Sequence, residues 1–336
     1  MLSAHLFTRP AHRGLALALA SSLVLAACGG EDKAEEPTPQ EPETTQAEPI
    51  YSPLTGEQVT SHPKHPIVIV KIDNSEASAP QVGLGSADLV TEELVEGGIT
   101  RLAVFFDQSI PKNVGPVRSM RATDIGVVQP AKAVLVASGG APQTVGRVAD
   151  AGITTFTEGD TGYYREDSRY SPYNLFMHLA DLVKTIKKSS RPTTYLPFAE
   201  DDSTFPKGRP ARELDAEFSG SSTTSWQFKN GTYVNLNSNA AEGDRFEPAT
   251  VLVLRVRVGD AGYKDPAGNP VPETIFTGKG EALVFHGGRL VRATWSKDDF
   301  DSELTLKTAG GELLLPPGKV WIELVPADGG DVIIRK

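Results

Sequence analysis

Residues 87–108, ADLVTEELVEGGITRLAVFFDQ, decide the fold of the first half of the chain. Two apolar runs rich in β-branched and aromatic residues flank a short Glu-Gly-Gly segment at 96–98. This pattern predicts a β-hairpin with a glycine turn. The stretch also contains Glu96 and Arg101, so the hairpin carries charge next to its turn.

Apolar runs on either side of this hairpin predict further strands of an α/β domain. PIVIVKID (66–73), KAVLVASGG (132–140) and ITTFTE (153–158) are typical of buried strands. APQTVGRVADAG (141–152) predicts a helix between the last two, which gives a βαβ unit with a parallel strand pair. We predict two more helices, over 117–128 and over 171–190, the second capped by Ser171.

The second half has a different pattern. Residues 198–212 are polar and contain prolines, and beyond them short apolar runs alternate with Gly, Asn and Pro turns without helical periodicity. We therefore expect a mixed α+β/α/β fold: an N-terminal α/β domain with a mixed sheet over 51–200, and a C-terminal β-rich domain, sandwich- or barrel-like, over 212–336.

The N-terminus has the pattern of a lipoprotein signal. Arg9 and Arg13 precede the uncharged run GLALALASSLVLAA (14–27), which is too short to span a bilayer core of about 30 Å. The run ends in LAAC, so residues 1–28 are expected to be a signal peptide ending at Cys28, the site of lipidation. The acidic, proline-bearing segment 29–50 is expected to be a disordered tether. The predicted location is the extracytoplasmic face of the cell membrane.

Composition narrows the function classes. The net formal charge of −10 disfavours nucleic-acid binding, which needs a basic face. Cys28 is the only cysteine, and the six histidines lack ligand spacing, so neither a metal site nor a cofactor is expected. No GxSxG motif is present, and no catalytic residue is predicted. An enzyme is not favoured, although a carboxylate mechanism stays open.

A cluster of charged residues is the first candidate site. If 117–128 is a helix, Arg118, Arg121 and Asp124 share one face at its start, where two guanidiniums and free N–H groups suit a carboxylate or phosphate. The alternative is an internal ion-pair network. That network would join Arg101, Arg118 and Arg121 to Asp73, Glu93, Glu96 or Asp124.

The segment 158–174, EGDTGYYREDSRYSPYN, is the second candidate. Tyr163, Tyr164 and Arg165 have the composition of a ligand-contacting loop, and the alternative is an ordered loop held by its own ion pairs. The turn ASGGAPQ (137–143) is a weak third signal for anion binding, because it lacks the spacing of a phosphate-loop motif.

Several motifs together resemble the YerB-like bacterial lipoproteins. They are KIDNSEASAPQVGLGSADLVTEELVEGGITRLAVFF (71–106), GPVRSMRATD (115–124), ASGGAPQ (137–143) and YYREDSRYSPYNLF (163–176), with further similarity at 271–295 and 316–326. The resemblance implies a two-part extracytoplasmic lipoprotein and supplies no catalytic residues. Relatives often have a Pro-His stretch after the first hairpin of the second half, whereas residues 230–248 contain no histidine.

The sequence therefore predicts a membrane-anchored protein that acts mainly by binding. The favoured partner is an anionic cell-wall or peptide fragment, held where residues 115–124 meet the 158–174 loop. A carboxylate-dependent cell-wall hydrolase and an envelope assembly protein remain alternatives, and the oligomeric state is unknown.

Overall fold

The computed structural model describes residues 48–187, 190–266 and 268–336. The strands before residue 187 are β1 (Ile50–Tyr51), β2 (Gln58–Val59), β3 (Val68–Asp73), β4 (Leu89–Leu94), β5 (Thr100–Phe106), β6 (Val134–Val136), β7 (Thr155–Phe156), β8 (Tyr163–Arg165) and β9 (Leu175–Met177). The helices are α1 (Asp124–Ala131), α2 (Pro142–Asp150) and α3 (Leu179–Thr185). Short 3-10 turns occur at Glu76–Ser78, Leu84–Ser86 and Glu96–Gly98.

Strands alone make up the regular structure after residue 190 of the described chain. They are β10 (Arg209–Pro210), β11 (Glu213–Ser219), β12 (Ser222–Lys229), β13 (Thr232–Asn235), β14 (Thr250–Lys264), β15 (Pro270–Ile275), β16 (Gly278–His286), β17 (Arg289–Lys297), β18 (Thr305–Thr308), β19 (Gly311–Glu312), β20 (Val320–Pro326) and β21 (Asp331–Arg335).

The predicted hairpin is confirmed. Strands β4 and β5 pair antiparallel, with Leu89 opposite Phe105 and Leu94 opposite Thr100. The turn at 96–98 places Gly97 and Gly98 at φ values of 75° and 73°. Glycine adopts this left-handed backbone without steric cost, which explains the Gly-Gly pair. The strands predicted over 66–73, 132–140 and 153–158 and the helix over 141–152 are also present.

A large mixed sheet of 13 strands organises the molecule. Its order is β19-β18-β17-β16-β14-β20-β4-β5-β3-β6-β7, with β10 beside β17 and β15 beside β14. The pairs β14–β20, β20–β4, β3–β6 and β6–β7 are parallel. A second, antiparallel sheet has the order β13-β12-β11-β21.

Both faces of the large sheet are buried. Along β3, Ile69 packs in one apolar core, while Val68 and Val70 pack in the other. The second core also contains Phe218 and Trp226 of the antiparallel sheet. Burial on both faces explains why β3 is a continuous apolar run rather than an alternating one.

The helix predicted over 117–128 is wrong in its first half. Helix α1 begins only at Asp124, and Pro130 lies inside its last turn instead of ending it. Residues 117–120 make backbone hydrogen bonds to other segments: Val117 N donates to Leu175 O, Arg118 N to Lys71 O, and Met120 N to Gly139 O. These tertiary bonds compete with a helical turn.

The long helix predicted over 171–190 is also wrong in its N-terminal part. Residues 175–177 form β9, which pairs antiparallel with β8, and Val114 and Met177 exchange backbone hydrogen bonds. Within the described part of this range, only the seven residues of α3 are helical, and His178 rather than Ser171 precedes them. Leu179 and Leu182 of this helix are buried.

The fold class is confirmed: an α/β first half with a mixed sheet precedes a β-rich second half. The seam between them is internal to the sheet, because β20 of the second half pairs directly with β4, and β14 lies on the other side of β20. The division into domains over 51–200 and 212–336 stays a prediction. Among the helices of the described residues, none has the length and apolar character needed to cross a membrane.

Candidate functional site

The three arginines of the first candidate site, Arg101, Arg118 and Arg121, lie in the wall of a cleft of about 550 Å³. Its walls come from the 96–101 turn, the 118–121 segment, the start of α2 and the β14–β15 hairpin. Among its lining residues, Arg101, Arg118, Arg121 and Lys264 are cationic, and Glu96 and Asp265 are acidic. The lining therefore carries an excess of positive charge.

Glu96 lies between two of these arginines. Its carboxylate accepts hydrogen bonds from Arg101 Nη2 at 2.8 Å and from Arg121 Nε at 2.9 Å, and Arg121 Nη2 forms a further contact. Burial acts to raise the pKa of Glu96, but Arg101 and Arg121 outweigh it and the pKa is lowered. Glu96 is thus an anion at neutral pH, which does not suit a general acid.

Arg118 differs from the other two arginines. Its Nη1 donates to Asp73 Oδ2 at 2.5 Å, and its guanidinium lies 5.4 Å from the centre of the Tyr173 ring. Its side chain is 18% exposed, against 2% for Arg101 and 9% for Arg121. Within the described part of the chain, its Nε and Nη2 have no hydrogen-bond partner. Arg118 therefore offers two donors to the cleft.

A second, fully buried set of charges lies behind this cleft. Lys71 Nζ is 2.5 Å from Glu93 Oε1 and 2.8 Å from Asp124 Oδ1, and the three side chains are at most 2% exposed. Asp124 Oδ2 accepts a hydrogen bond from Arg121 N at 2.7 Å. The candidate residue Asp124 is therefore tied to Lys71 inside the protein and is not part of the cleft wall.

The structure thus pairs the charges as the ion-pair alternative described, with different partners for Glu93 and Asp124. Arg101 and Arg121 share Glu96, and Arg118 takes Asp73. Arg118 and Arg121 do not share a helix face, because both precede α1. That these residues hold a ligand stays a prediction.

No sequence pattern predicted the wall of the cleft that the β14–β15 hairpin forms. The start of α2, residues 140–143, faces the cleft, and this is where the weak ASGGAPQ signal lies. The β14–β15 hairpin reaches α2 from the second half: Tyr263 Oη is 2.7 Å from Thr144 Oγ1, and Arg147 donates two hydrogen bonds to Glu273 at 2.7 and 2.6 Å. Because the hairpin lies far from α2 along the chain, no local sequence pattern predicts this contact.

The tyrosine loop lies elsewhere. Tyr163 Oη donates to Ala137 O and Phe156 O at 2.7 and 2.8 Å, and Tyr164 stacks on His178 at 4.2 Å. Arg165 pairs with Glu158 and contacts Asn174. Tyr163, Tyr164 and Arg165 line a separate depression of about 290 Å³. Tyr173 of this loop contacts Arg118, whereas Tyr163, Tyr164 and Arg165 are not among the residues that line the arginine cleft. A joint site of the two segments stays a prediction.

The described residues contain no group of three or more His, Cys, Asp or Glu side chains that could hold a metal ion. Cys28, the predicted lipidation site, lies outside the described residues.

Comparison with known proteins gives a consistent assignment. Residues 54–192 match the N-terminal domain, and residues 214–322 the C-terminal domain, of the family described as "Protein of unknown function (DUF3048)". The chain belongs to this family. The DUF3048 relative named "Putative lipoprotein YerB", from Bacillus subtilis (strain 168), is 25% identical over 302 residues, which is 83% of this chain and 87% of the relative.

The fold of this DUF3048 protein also matches a solved structure. The crystal structure of YerB from Bacillus subtilis superposes with a TM-score of 0.69 over 84% of this chain and 99% of that chain, at 20% identity. At this identity the match concerns the fold. The predicted YerB-like resemblance is confirmed, and with it membership of a lipoprotein family.

Proposed function

We propose that this protein is a lipid-anchored binding protein of the cell envelope that holds an anionic ligand group in the arginine-lined cleft. The observation that carries the proposal is the pair of unpartnered donors on Arg118, the most exposed arginine of the cleft. A planar guanidinium with two free N–H groups recognises a carboxylate or phosphate by two parallel hydrogen bonds.

Two further features support an anionic ligand. The start of α2 lies in the cleft wall, where the first N–H groups of a helix lack intrahelical partners and attract negative charge. The lining cations outnumber the lining acids. Arg101 and Arg121 both form ion pairs with Glu96, and these pairs order the cleft lining next to Arg118.

The carboxylate-hydrolase alternative gains no support from the geometry. Glu96 is held as an anion by two arginines, and Asp73 accepts hydrogen bonds from Arg118 and from Ser75 N. The assembly-protein alternative likewise has no single observation in its favour. Binding therefore remains the function that the cleft supports best.

The binding proposal is tested by substituting Arg118 and Arg121 one at a time. With full-length protein and muramyl dipeptide as the carboxylate-bearing probe, Arg118→Lys should weaken binding about 10- to 100-fold, the equivalent of 1.5–3 kcal/mol for a lost charge-assisted contact. Its melting temperature should change little. Arg121→Lys should instead lower the melting temperature, because it loses its two-nitrogen contact with Glu96.

The matched control is Arg292→Lys, whose partner Glu281 lies at the surface. It should change neither binding nor stability. If Arg118→Lys binds muramyl dipeptide and inorganic phosphate as the parent protein does, or if neither probe binds the parent, the cleft is not an anion site.

The anchor is proposed from the LAAC sequence at 25–28 and from the name of the relative in Bacillus subtilis. A thioether-linked diacylglycerol on Cys28 would hold the protein at the membrane, since two acyl chains bind a bilayer stably. Cys28→Ser should abolish partition into the detergent phase and remove the acyl mass from the N-terminal peptide. Retention of both by the serine variant would overturn the anchor assignment.

A further inference from the structure

A second cavity, of about 480 Å³, lies apart from the arginine cleft. It is formed where the end of β3 and the start of β5 meet β12 and the segment that follows β13. Its lining is almost entirely asparagine, serine and threonine; Glu76 is the one ionisable lining residue and Ile99 the one large apolar one. We refer to it as the polar groove.

The walls of the polar groove are fixed by hydrogen bonds behind them. Asn237 Oδ1 accepts from Ser225 N at 3.0 Å, and its Nδ2 donates to Thr223 O at 2.7 Å. Asn239 Nδ2 donates to Asn74 O at 3.0 Å. A ligand would therefore meet side chains that are already ordered, which lowers the entropic cost of binding.

The floor of the polar groove is fixed as well. Asn74 Nδ2 donates to Glu92 Oε1 at 2.9 Å, and Thr224 Oγ1 lies 2.9 Å from the same oxygen. Glu92 stands opposite Glu323 on the adjacent strand, and Trp226 Nε1 donates to Glu323 Oε1 at 2.7 Å. Both glutamates are fully buried. They hold the floor in place and do not present charge to the groove.

Several polar groups of the groove have no hydrogen-bond partner among the described residues. They are Ser222 Oγ, Thr223 Oγ1, Asn235 Nδ2 and Asn239 Oδ1, all on residues that line the groove. The set contains hydroxyls, an amide donor and an amide acceptor, and none of these groups is charged. Such a mixture matches the hydroxyl and acetamido groups of a sugar, each of which donates and accepts.

We propose that the polar groove binds an uncharged oligosaccharide. An anion is disfavoured because the lining has no cation and contains Glu76. An extended peptide is disfavoured because the side chain of Asn237 already occupies the backbone groups of Thr223 and Ser225 at the edge of β12, where an added strand would pair. The proposal does not depend on the arginine cleft.

The test uses full-length protein and chitotetraose, a neutral tetrasaccharide of N-acetylglucosamine, in calorimetric or NMR titrations. Saturable binding of one tetrasaccharide per protein is expected. Thr223→Val replaces the hydroxyl by a methyl group of similar size, and Asn235→Asp removes the unpaired Nδ2 donor but keeps the oxygen that accepts from Asn237 N. Each should weaken binding about 5-fold or more, the typical effect of one lost hydrogen bond.

Two control variants test whether the sugar binds in the polar groove. Thr193→Val, at an exposed threonine away from the groove, and Arg118→Lys, in the arginine cleft, should leave the affinity for chitotetraose unchanged. Chemical-shift changes should map to residues 222–239. The proposal is overturned if chitotetraose and cellotetraose both fail to saturate, if Arg118→Lys removes the binding, or if a neutral tetrapeptide amide binds in the groove and the sugars do not.

Discussion

Two consecutive glutamates on β4, Glu92 and Glu93, are both buried, but their carboxyl groups have different kinds of partner. Glu93 projects to the face where Lys71 Nζ lies 2.5 Å from its carboxylate, and Asp124 shares the same lysine. Glu92 projects to the other face and stands opposite Glu323, with Trp226, Thr224 and Asn74 as hydrogen-bond donors around the pair. No cation contacts this second pair among the described residues.

The comparison shows that one strand can accommodate buried acids either beside a cation or with a proton. Burial also raises the pKa of Glu93, and Lys71 opposes that rise. Burial alone would lower the pKa of Lys71, but Asp124 and Glu93 outweigh it and the pKa is raised, so the lysine stays charged. Burial raises the pKa of Glu92, and burial together with Glu92 raises the pKa of Glu323 well above its ordinary value. We infer that Glu92 and Glu323 share a proton.

The largest effect is expected from removing the cation. Lys71→Met keeps the volume and the apolar stem of the side chain but leaves Glu93 and Asp124 buried without a counter-charge. Breaking a buried ion pair in this way costs about 3–5 kcal/mol. Urea denaturation should show a correspondingly lower midpoint, or no cooperative transition at 25 °C.

Lys184→Met is the matched control for this substitution. Lys184 also forms an ion pair, with Asp181, but both side chains lie mostly in solvent. We expect no measurable change in its urea midpoint. If the two methionine variants unfold at the same urea concentration, Lys71 is not the counter-ion that the comparison requires.

The next effect concerns the proton on the other face. Because the folded protein holds a proton that the unfolded chain releases above its ordinary glutamate pKa of 4.5, stability is fully present below pH ~4.5 and falls as pH rises through the raised pKa. Glu323→Gln mimics the protonated acid, since its amide can donate to Glu92. The variant should therefore lose less stability than the parent between pH 5 and pH 9.

Melting temperatures of both proteins across this range give the comparison. Burial also raises the pKa of Asp88, to about 6, but this group titrates in the parent and the variant alike and cancels in the difference. Glu312→Gln, at an exposed residue, is the control and should follow the parent. Parallel pH curves for parent and Glu323→Gln would mean that the pair shares no proton.

The sequence predicted the strands well because their signal is local. The runs at 66–73 and 99–108 are apolar over their own length, and so they identify β3 and β5 without knowledge of their neighbours. The helices over 117–128 and 171–190 failed for the opposite reason. Residues 117 and 175 hydrogen-bond to each other across the fold, and this contact has no trace in either local pattern.

The charged site was predicted in part. The sequence predicts Asp73 and Glu96 as possible partners of the arginines, and the structure pairs them in this way. Lys71 and Glu323 were not named, although each interrupts an apolar strand, Lys71 in VIVKID and Glu323 in VWIELVP. A charge inside a buried strand needs a partner, and that rule would have marked both residues without identifying their partners.

The smallest effect is expected from removing one hydrogen-bond donor to the Glu92–Glu323 pair. Thr224 Oγ1 lies 2.9 and 3.0 Å from the two oxygens of Glu92, and Thr224 is 4% exposed. Thr224→Val preserves the shape but removes this donor, so the unfolding free energy should fall by about 1–2 kcal/mol. Thr60→Val, at an exposed site, should have no effect on stability.

The Thr224→Val variant should also differ from the parent in its pH dependence. Because the Thr224 hydroxyl lowers the pKa of Glu92, its removal raises that pKa further, and Thr224→Val should keep losing stability to a higher pH than the parent does. A uniform loss at every pH would show that Thr224 contributes packing alone.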